Sequence, residues 1–307
     1  MEMQKSWYSH GKLLISGEYL VMEGAKSFAL PLKQGQSLSL KSNNKKGLLI
    51  WNALLSDGNW FQATFDTKKL NIKETSNRQL AEKLSQILLA CRQLSTTFLK
   101  EETGFSVETK LDFNPEYGFG SSSTLISNIA LWADVSPFEL LRLTFGGSGY
   151  DIACARIHSP LFYQLTDTGP KIEEVTFNHT YKKQIYFVYL GKKQKSTESI
   201  KSFQNSAVFN KDDLKTISSI SEQIVTANSL PDFEQLLNEH EKIMSGILKR
   251  PTVKSLLFNN YEGTVKSLGG WGGDFVLLTS NQSDSSFRAE IKKRGFPVVF
   301  GYDELVL

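Results

Sequence analysis

Apolar positions in the first third of the chain fall in short runs broken by glycine, and in the remainder they fall mostly at helical spacing. Trp7–Ser9 reads as a strand. From Ser9 to Leu32, glycines at 11, 17 and 24 punctuate brief apolar runs, which predicts tightly turned strands rather than a helix. Further strands are expected at Ser37–Ser42, Gly47–Asn52 and Trp60–Phe65. Arg78–Leu99 carries apolar residues at 80, 84, 87, 88, 91 and 94, close to a 3.6-residue period, and predicts the first long helix. Phe105–Phe113 alternates as a strand and leads into a glycine-serine turn, N-P-E-Y-G-F-G-S-S-S-T at 114–124, with a helix beginning near Ser121.

Ser136-Pro137-Phe138-Glu139 has the order of a helix start, with an N-cap serine, proline at the first position and glutamate three residues on; Gly146-Gly147 should end that helix. After G-S-G-Y-D-I-A-C-A-R comes a strand at Leu161–Leu165. The T-D-T-G-P loop then breaks both regular structures, which suggests domains at 1–168 and 169–307. The second half predicts a strand at Gln184–Leu190 and helices at Thr197–Phe209, Asp212–Ala227, Asp232–Leu248 and Val253–Tyr261. A second glycine turn, K-S-L-G-G-W-G-G-D-F at 266–275, precedes a strand at Phe275–Thr279, a helix near Ser285–Arg294 and a strand at Pro297–Gly301. This order predicts an α+β protein of two layers, sheets backed by helices.

With 307 residues, two domains are the default. A net charge of +3 spread along the chain gives no nucleic-acid footprint, so Lys45-Lys46, Lys182-Lys183 and Lys192-Lys193-Gln194-Lys195 are read as solvated surface. The two cysteines, Cys91 and Cys154, sit in apolar helical patterns as buried free thiols of a reducing compartment. The four histidines are scattered without metal-ligand spacing. No secretory h-region and no membrane-length apolar run is visible, so a soluble cytoplasmic protein with no nucleic-acid or membrane partner is expected.

The turn at 114–124 is the first candidate for chemistry. Its glycines permit a backbone that presents consecutive N–H groups, and the helix after it adds the positive end of a dipole, where a phosphate would sit. A plain helix cap fits the same residues. The turn is not of the Walker type, lacking G-K-[ST], nor of the Rossmann type, lacking G-x-G-x-x-G.

Taken in order, H-G-K-L-L-I-S-G-E-Y, P-E-Y-G-F-G-S-S-S-T, G-S-G-Y-D-I-A and K-S-L-G-G-W-G-G-D-F resemble the signature set of the GHMP kinases, the superfamily of galactokinase, homoserine kinase, mevalonate kinase and phosphomevalonate kinase. The resemblance implies the GHMP kinase two-domain fold, with an N-terminal domain like ribosomal protein S5 domain 2, a C-terminal ferredoxin-like domain and an active site in the cleft between them. It implies ATP and Mg2+ as cofactors, with Gly118, Phe119, Gly120, Ser121, Ser122 and Ser123 around the ATP phosphates and Ser122 meeting the metal. Asp151 corresponds to the catalytic aspartate, as a base or an orienting group for the acceptor, and Lys12 to the lysine that pairs with it. Glu139 fits a magnesium-binding glutamate and a capping position alike. On the substrate side the resemblance points to Glu18 and Tyr19 and to Gly270, Gly272 and Gly273. It also points to Lys195, Ser196 and Thr197, for which a basic loop with a helix cap is the alternative.

The chain departs from the family pattern at His10, Glu116-Tyr117 and Trp271; a glutamate beside a triphosphate would repel it unless turned outward. S-G-E-Y and G-G-D lean toward phosphomevalonate kinase, and K-x-x-x-S-T toward mevalonate kinase. The expected function is an ATP-dependent kinase of the mevalonate pathway, a monomer or homodimer acting on mevalonate or phosphomevalonate. The alternatives are diphosphomevalonate decarboxylase and a catalytically silent metabolite-binding member.

Overall fold

Alternation of buried and exposed side chains sets the first half of the protein. The computed structural model describes residues 4–100, 103–192 and 196–307, with residues 196–198, 202 and 206 described by their backbone only. The chain forms two compact units that share its length unevenly. One comprises residues 1–11, 34–115 and 119–156, and the other 12–33, 116–118 and 157–307.

In the first unit, β1 (Gln4–Leu14) and β2 (Ser27–Asn43) begin here or end here and pair with each other. They are followed by β3 (Leu48–Leu55), β4 (Gly58–Asp66), β5 (Ile72–Thr75), helix α1 (Arg78–Leu94) and β6 (Gly104–Leu111). Residues 36–43 of β2 run antiparallel to β6, with Leu40 opposite Val107; β6 runs parallel to β3, with Val107 opposite Trp51. β3 continues antiparallel to β4 and β4 to β5, with a register shift after Ala53. Leu49, Trp51 and Ala53 of β3 and Phe61, Ala63 and Phe65 of β4 are buried while their neighbours are more exposed, so the period-2 pattern gives the sheet one apolar face.

Onto that face pack α1, α2 (Ser121–Ala133), α3 (Pro137–Thr144) and the N-terminal turns of α4 (Tyr150–Arg156). Trp132 of α2 meets Phe98 edge-on at 4.8 Å and Trp51 at 6.4 Å. Helix starts follow their caps. Asn77 accepts the N–H of Leu80 at the head of α1, and Ser136 accepts that of Glu139 at the head of α3, behind the predicted proline. Helix α1 stops at Leu94, short of the predicted Leu99, because Arg92 turns back to bind carbonyls of the segment that follows.

The second unit opens with residues 27–29 of β2, antiparallel to β7 (Leu161–Thr166), which pairs in turn with β8 (Gly169–Glu174). The T-D-T-G-P stretch is the turn of this hairpin, and the predicted boundary at 168/169 falls inside the unit. Its glycine and proline mark a reversal, which they do as readily as a domain linker. Next come β9 (Ile185–Tyr189), α5 (Ser196–Ser206), α6 (Lys211–Thr226), α7 (Leu230–Leu248), α8 (Val253–Leu257), β10 (Val265–Ser267), β11 (Phe275–Thr279), α9 (Asp284–Lys293), β12 (Val299–Gly301) and α10 (Tyr302–Leu305). The strands form an antiparallel sheet in the order β10-β11-β9-β12. All five residues of β11 are buried, the signature of a central strand covered on both faces. Helix α9 covers part of the sheet by stacking Phe287 on Tyr186 at 4.0 Å. Both cysteines are buried free thiols, and burial pushes Cys91 up to about 12. Among the described residues no helix is long and apolar enough to cross a membrane.

Candidate functional site

Each unit assembles its own share of the residues singled out from the sequence. The first holds Phe119, Gly120, Ser121, Ser122, Ser123, Glu139 and Asp151. The second holds Lys12, Glu18, Tyr19, Gly118, Gly270, Gly272 and Gly273, and the backbone of Ser196 and Thr197 at the start of α5. Lys195 lies outside the described residues.

In the first unit, Gly120 stands at the N-cap of α2 with φ 93°, a left-handed conformation that admits glycine without strain. No side chain caps this end, and the first helical bond is Thr124 N–H to Gly120 O at 2.9 Å. The N–H groups of Ser121, Ser122 and Ser123 therefore stand ahead of the hydrogen-bonded turns, at the positive end of a 13-residue helix. Ser122 is exposed and Ser121 half-buried, whereas Ser123 is buried and donates its hydroxyl to Gly120 O at 2.8 Å. Phe119 is buried and packs edge-on against Phe113, so only its backbone is available to a ligand. Helices α3 and α4 both pack on α2. Glu139 is exposed on the first turn of α3, and Asp151 is half-buried on the first turn of α4, where its Oδ1 accepts the N–H of Ile152 at 3.0 Å.

In the second unit, Lys12 Nζ donates to the carbonyl of Gly118 at 2.8 Å, tying the first motif to the central turn. Gly118 has φ 68°, and a Cβ there would lie 2.7 Å from the Asp274 carboxyl carbon. The central turn thus rests directly on the acidic end of the closing glycine turn, an approach only glycine permits. Tyr117 explains one departure from the family pattern: its ring packs on Tyr189 at 4.9 Å and edge-on to Phe275 at 5.6 Å, anchoring the turn to β9 and β11. Glu116 beside it is exposed. Trp271 is buried in an apolar cluster with Tyr19, Met244 and Ile247, leaving Gly270 and Gly272 on either side at the surface of the turn and Gly273 buried.

Beneath these turns lies a charged network that sequence reasoning missed apart from Glu18. Glu18, read as a substrate contact, is 1% exposed, and its carboxylate pairs with Lys266, itself fully buried. Lys266 Nζ also donates to Ser267 O at 2.9 Å, and Glu241 of α7 accepts from the N–H of Ser267 at 3.2 Å and from its hydroxyl at 2.8 Å. Burial pushes Glu18 up to about 7 against the opposing pull of Lys266, and it raises Glu241 in the same way. Burial and the Lys266 charge hold His240 well below its ordinary value, so the ring is neutral. Its Nε2 accepts the N–H of Gly17 at 2.9 Å while standing 3.3 Å from Glu18 Oε2, an approach of two acceptors that a proton on the carboxyl relieves. Glu18 Oε2, His240 Nδ1 and Trp271 Nε1 are buried with no hydrogen-bond partner among the described residues. Such atoms are completed by ordered water or by a polar group of a ligand.

In the first unit the start of α2 fits a phosphate, with Gly120 at positive φ and an uncapped helix end behind it. Among the described residues no group of three His, Cys, Asp or Glu side chains could hold a metal unaided. Magnesium needs no such group, since it is held by one or two protein oxygens together with substrate phosphates.

No protein-family model and no curated protein matches the chain. Solved structures do. The mevalonate kinase of Methanococcus jannaschii is 17% identical, with 98% of this chain and 97% of that one covered and a TM-score of 0.71. The Streptococcus pneumoniae phosphomevalonate kinase in complex with phosphomevalonate and AMPPNP is 15% identical over 96% and 99%, with a TM-score of 0.70. The mevalonate diphosphate decarboxylase of Staphylococcus aureus is 12% identical over 100% and 95%, with a TM-score of 0.62. Match over nearly the full length of each, with an S5-like sheet-and-helix unit and a ferredoxin-like antiparallel unit, settles the architecture: this chain has the α+β fold of the GHMP kinases.

Proposed function

We propose that the protein is a cytoplasmic, ATP-dependent small-molecule kinase of the mevalonate pathway that phosphorylates mevalonate or phosphomevalonate. The observation that carries this reading is the uncapped start of α2 behind a turn whose glycines take positive φ, an arrangement made for phosphate. The similarity to a phosphomevalonate kinase crystallised with AMPPNP supports ATP as the donor. The backbone of residues 118–123 would hold the phosphates, with the Ser122 hydroxyl and the Glu139 carboxylate as ligands for Mg2+, which neutralises charge on the phosphates. Tyr19, Lys195, Ser196, Thr197 and the glycines at 270, 272 and 273 would serve the acceptor side, with Glu18 held beneath them by Lys266.

In the proposed step, an acceptor oxygen attacks the γ-phosphorus; the new O–P bond forms as the bond to ADP breaks. With mevalonate the acceptor is a hydroxyl, and Asp151 takes its proton. With phosphomevalonate the acceptor is an ionised phosphate oxygen that attacks without giving up a proton, so no base is needed and positive groups would orient it. Lys12 would stabilise charge on the migrating group.

The test is a radiolabelled-ATP screen of mevalonate, phosphomevalonate, diphosphomevalonate, homoserine and galactose, run with Asp151→Asn beside the wild type. Label should pass to mevalonate or phosphomevalonate; with mevalonate as acceptor the variant should lose roughly 100- to 10,000-fold in kcat, as expected for loss of a positioned base, while still binding AMPPNP. Release of carbon dioxide from diphosphomevalonate would instead identify a decarboxylase, whose fold the chain shares. Binding of ATP with no product from any acceptor would leave a silent member.

A further inference from the structure

The first unit holds a basic cavity of roughly 620 Å3, lined by Lys46 and Gly47 between β2 and β3, Thr67 and Lys68 after β4, Arg92 on the last turn of α1, and Lys100. We propose that this cavity is a binding site for a phosphate-bearing small molecule, separate from the residues assigned to ATP. Four cations line it and no carboxylate does. None of the four forms an ion pair among the described residues.

Arg92 gives the cavity its shape and its field. Its Nη1 donates to Lys68 O at 2.8 Å, Nη2 to Leu99 O at 2.7 Å and to Thr67 O, and Nε to Phe98 O at 3.4 Å. Four carbonyls satisfy the guanidinium's geometry without neutralising it. A cation half withdrawn from water and hydrogen-bonded only to dipoles leaves a positive potential that an anion would offset. The Asp66 charge reaches Arg92 and offsets part of that potential, but its oxygens are turned to the N–H groups of Lys69 at 2.6 Å and Asn71 at 3.1 Å and it does not line the cavity. The wall is also prebuilt, since Thr67 N–H donates to Gly47 O at 2.8 Å and joins two of the contributing loops. Lys46, Lys68 and Lys100 are exposed around this fixed floor, free to close on phosphate oxygens as mobile point charges. The volume suits a phosphate or diphosphate ester carrying a modest organic group. Glu101 and Glu102, which follow Lys100, lie outside the described residues.

The experiment titrates inorganic pyrophosphate into the full chain saturated with AMPPNP, followed by amide chemical shifts, in the wild type and in K46Q/K68Q/K100Q. Shifts at residues 46, 47, 67 and 68 should saturate in the wild type. The variant should bind at least tenfold more weakly, and binding should fall several-fold between 50 and 200 mM salt, as exposed charges demand. The three lysines are exposed, so an unchanged thermal midpoint checks the variant's fold, and K68Q alone serves if the triple variant fails that check. Shifts confined to residues 118–123, equal affinity in wild type and variant, or no binding because the adjoining glutamates neutralise the lysines would each overturn the proposal. So would a single-stranded oligonucleotide that displaces pyrophosphate at lower concentration, since the surface would then be a nucleic-acid contact. None of these readouts depends on catalysis.

Discussion

Replacing Lys266 by methionine removes one ammonium from a place where Lys266, Glu18 and Glu241 are 0%, 1% and 3% exposed. Methionine keeps the side chain out to Cε, so the perturbation is chiefly loss of the ammonium and of its hydrogen bonds. Removing one member of a buried ion pair costs about 3–5 kcal/mol, because the partner is left charged and dry. Glu18 can evade part of this by keeping its proton. In the wild type, burial raises it from 4.5 to about 7 while Lys266 pulls it down, so without the lysine it must rise further. A carboxyl raised on folding binds a proton that the unfolded chain has released, so its contribution to stability falls as pH rises from the unfolded value to the folded one. That fall ends near pH 7 in the wild type but continues above it in Lys266→Met, adding about 1.4 kcal/mol to the difference for each pH unit. Urea unfolding followed by tryptophan fluorescence at pH 5.5, 7 and 8.5 reads this directly. The deficit should be smallest at 5.5 and largest at 8.5, and adding Glu18→Gln to the variant should flatten the dependence. A deficit that ignores pH, or one below about 1 kcal/mol, would refute the network as drawn.

Two further substitutions probe the turns and caps. Gly118→Ala places a Cβ 2.7 Å from the Asp274 carboxyl carbon at φ 68°, and should strain the turn by about 1–3 kcal/mol; calorimetry should show AMPPNP affinity reduced by about tenfold, using the 1.4 kcal/mol per decade conversion, and unchanged affinity would separate the turn from the nucleotide. Asn210→Ala removes the acceptor shared by the N–H groups of Asp212 and Asp213 at the head of α6 and should lower stability by about 1 kcal/mol in urea unfolding; no measurable loss would mean that this helix end contributes nothing to the cooperative unit.

What could be read from the chain beforehand was whatever local chemistry fixes. The start of α3 was legible because a serine cap, a proline and a glutamate stand in order within four residues. Strands β3, β4 and β6 showed through because one face is buried and one is not. β8 did not, since its sequence G-P-K-I-E-E has no buried residue and so no apolar alternation. Helix α8 ends at Leu257, short of the expected Tyr261, because Phe258 leaves helical φ and ψ to bury its ring against Phe296. The glycine turns stand out in the sequence by composition alone, whereas Lys266 does not: its partner Glu18 lies 248 positions away, and only the fold brings them together. Tyr117 and Trp271 read as blemishes in their motifs, yet each is a hydrophobic anchor that leaves the adjacent glycines to present backbone.

The pairing of residues 27–29 with 161–163 has a consequence for biosynthesis. Phe28 leaves the ribosome long before its strand neighbour Phe162. At roughly 5–20 residues per second the wait is on the order of ten seconds, during which this apolar stretch has the β1 segment to pair with but lacks β7. Contacts so distant in sequence also slow the search for the native state. The nascent polypeptide is therefore expected to need a holding chaperone until the hairpin partner is made, and expression at lower temperature, or with trigger-type chaperones in excess, should raise the yield of active material.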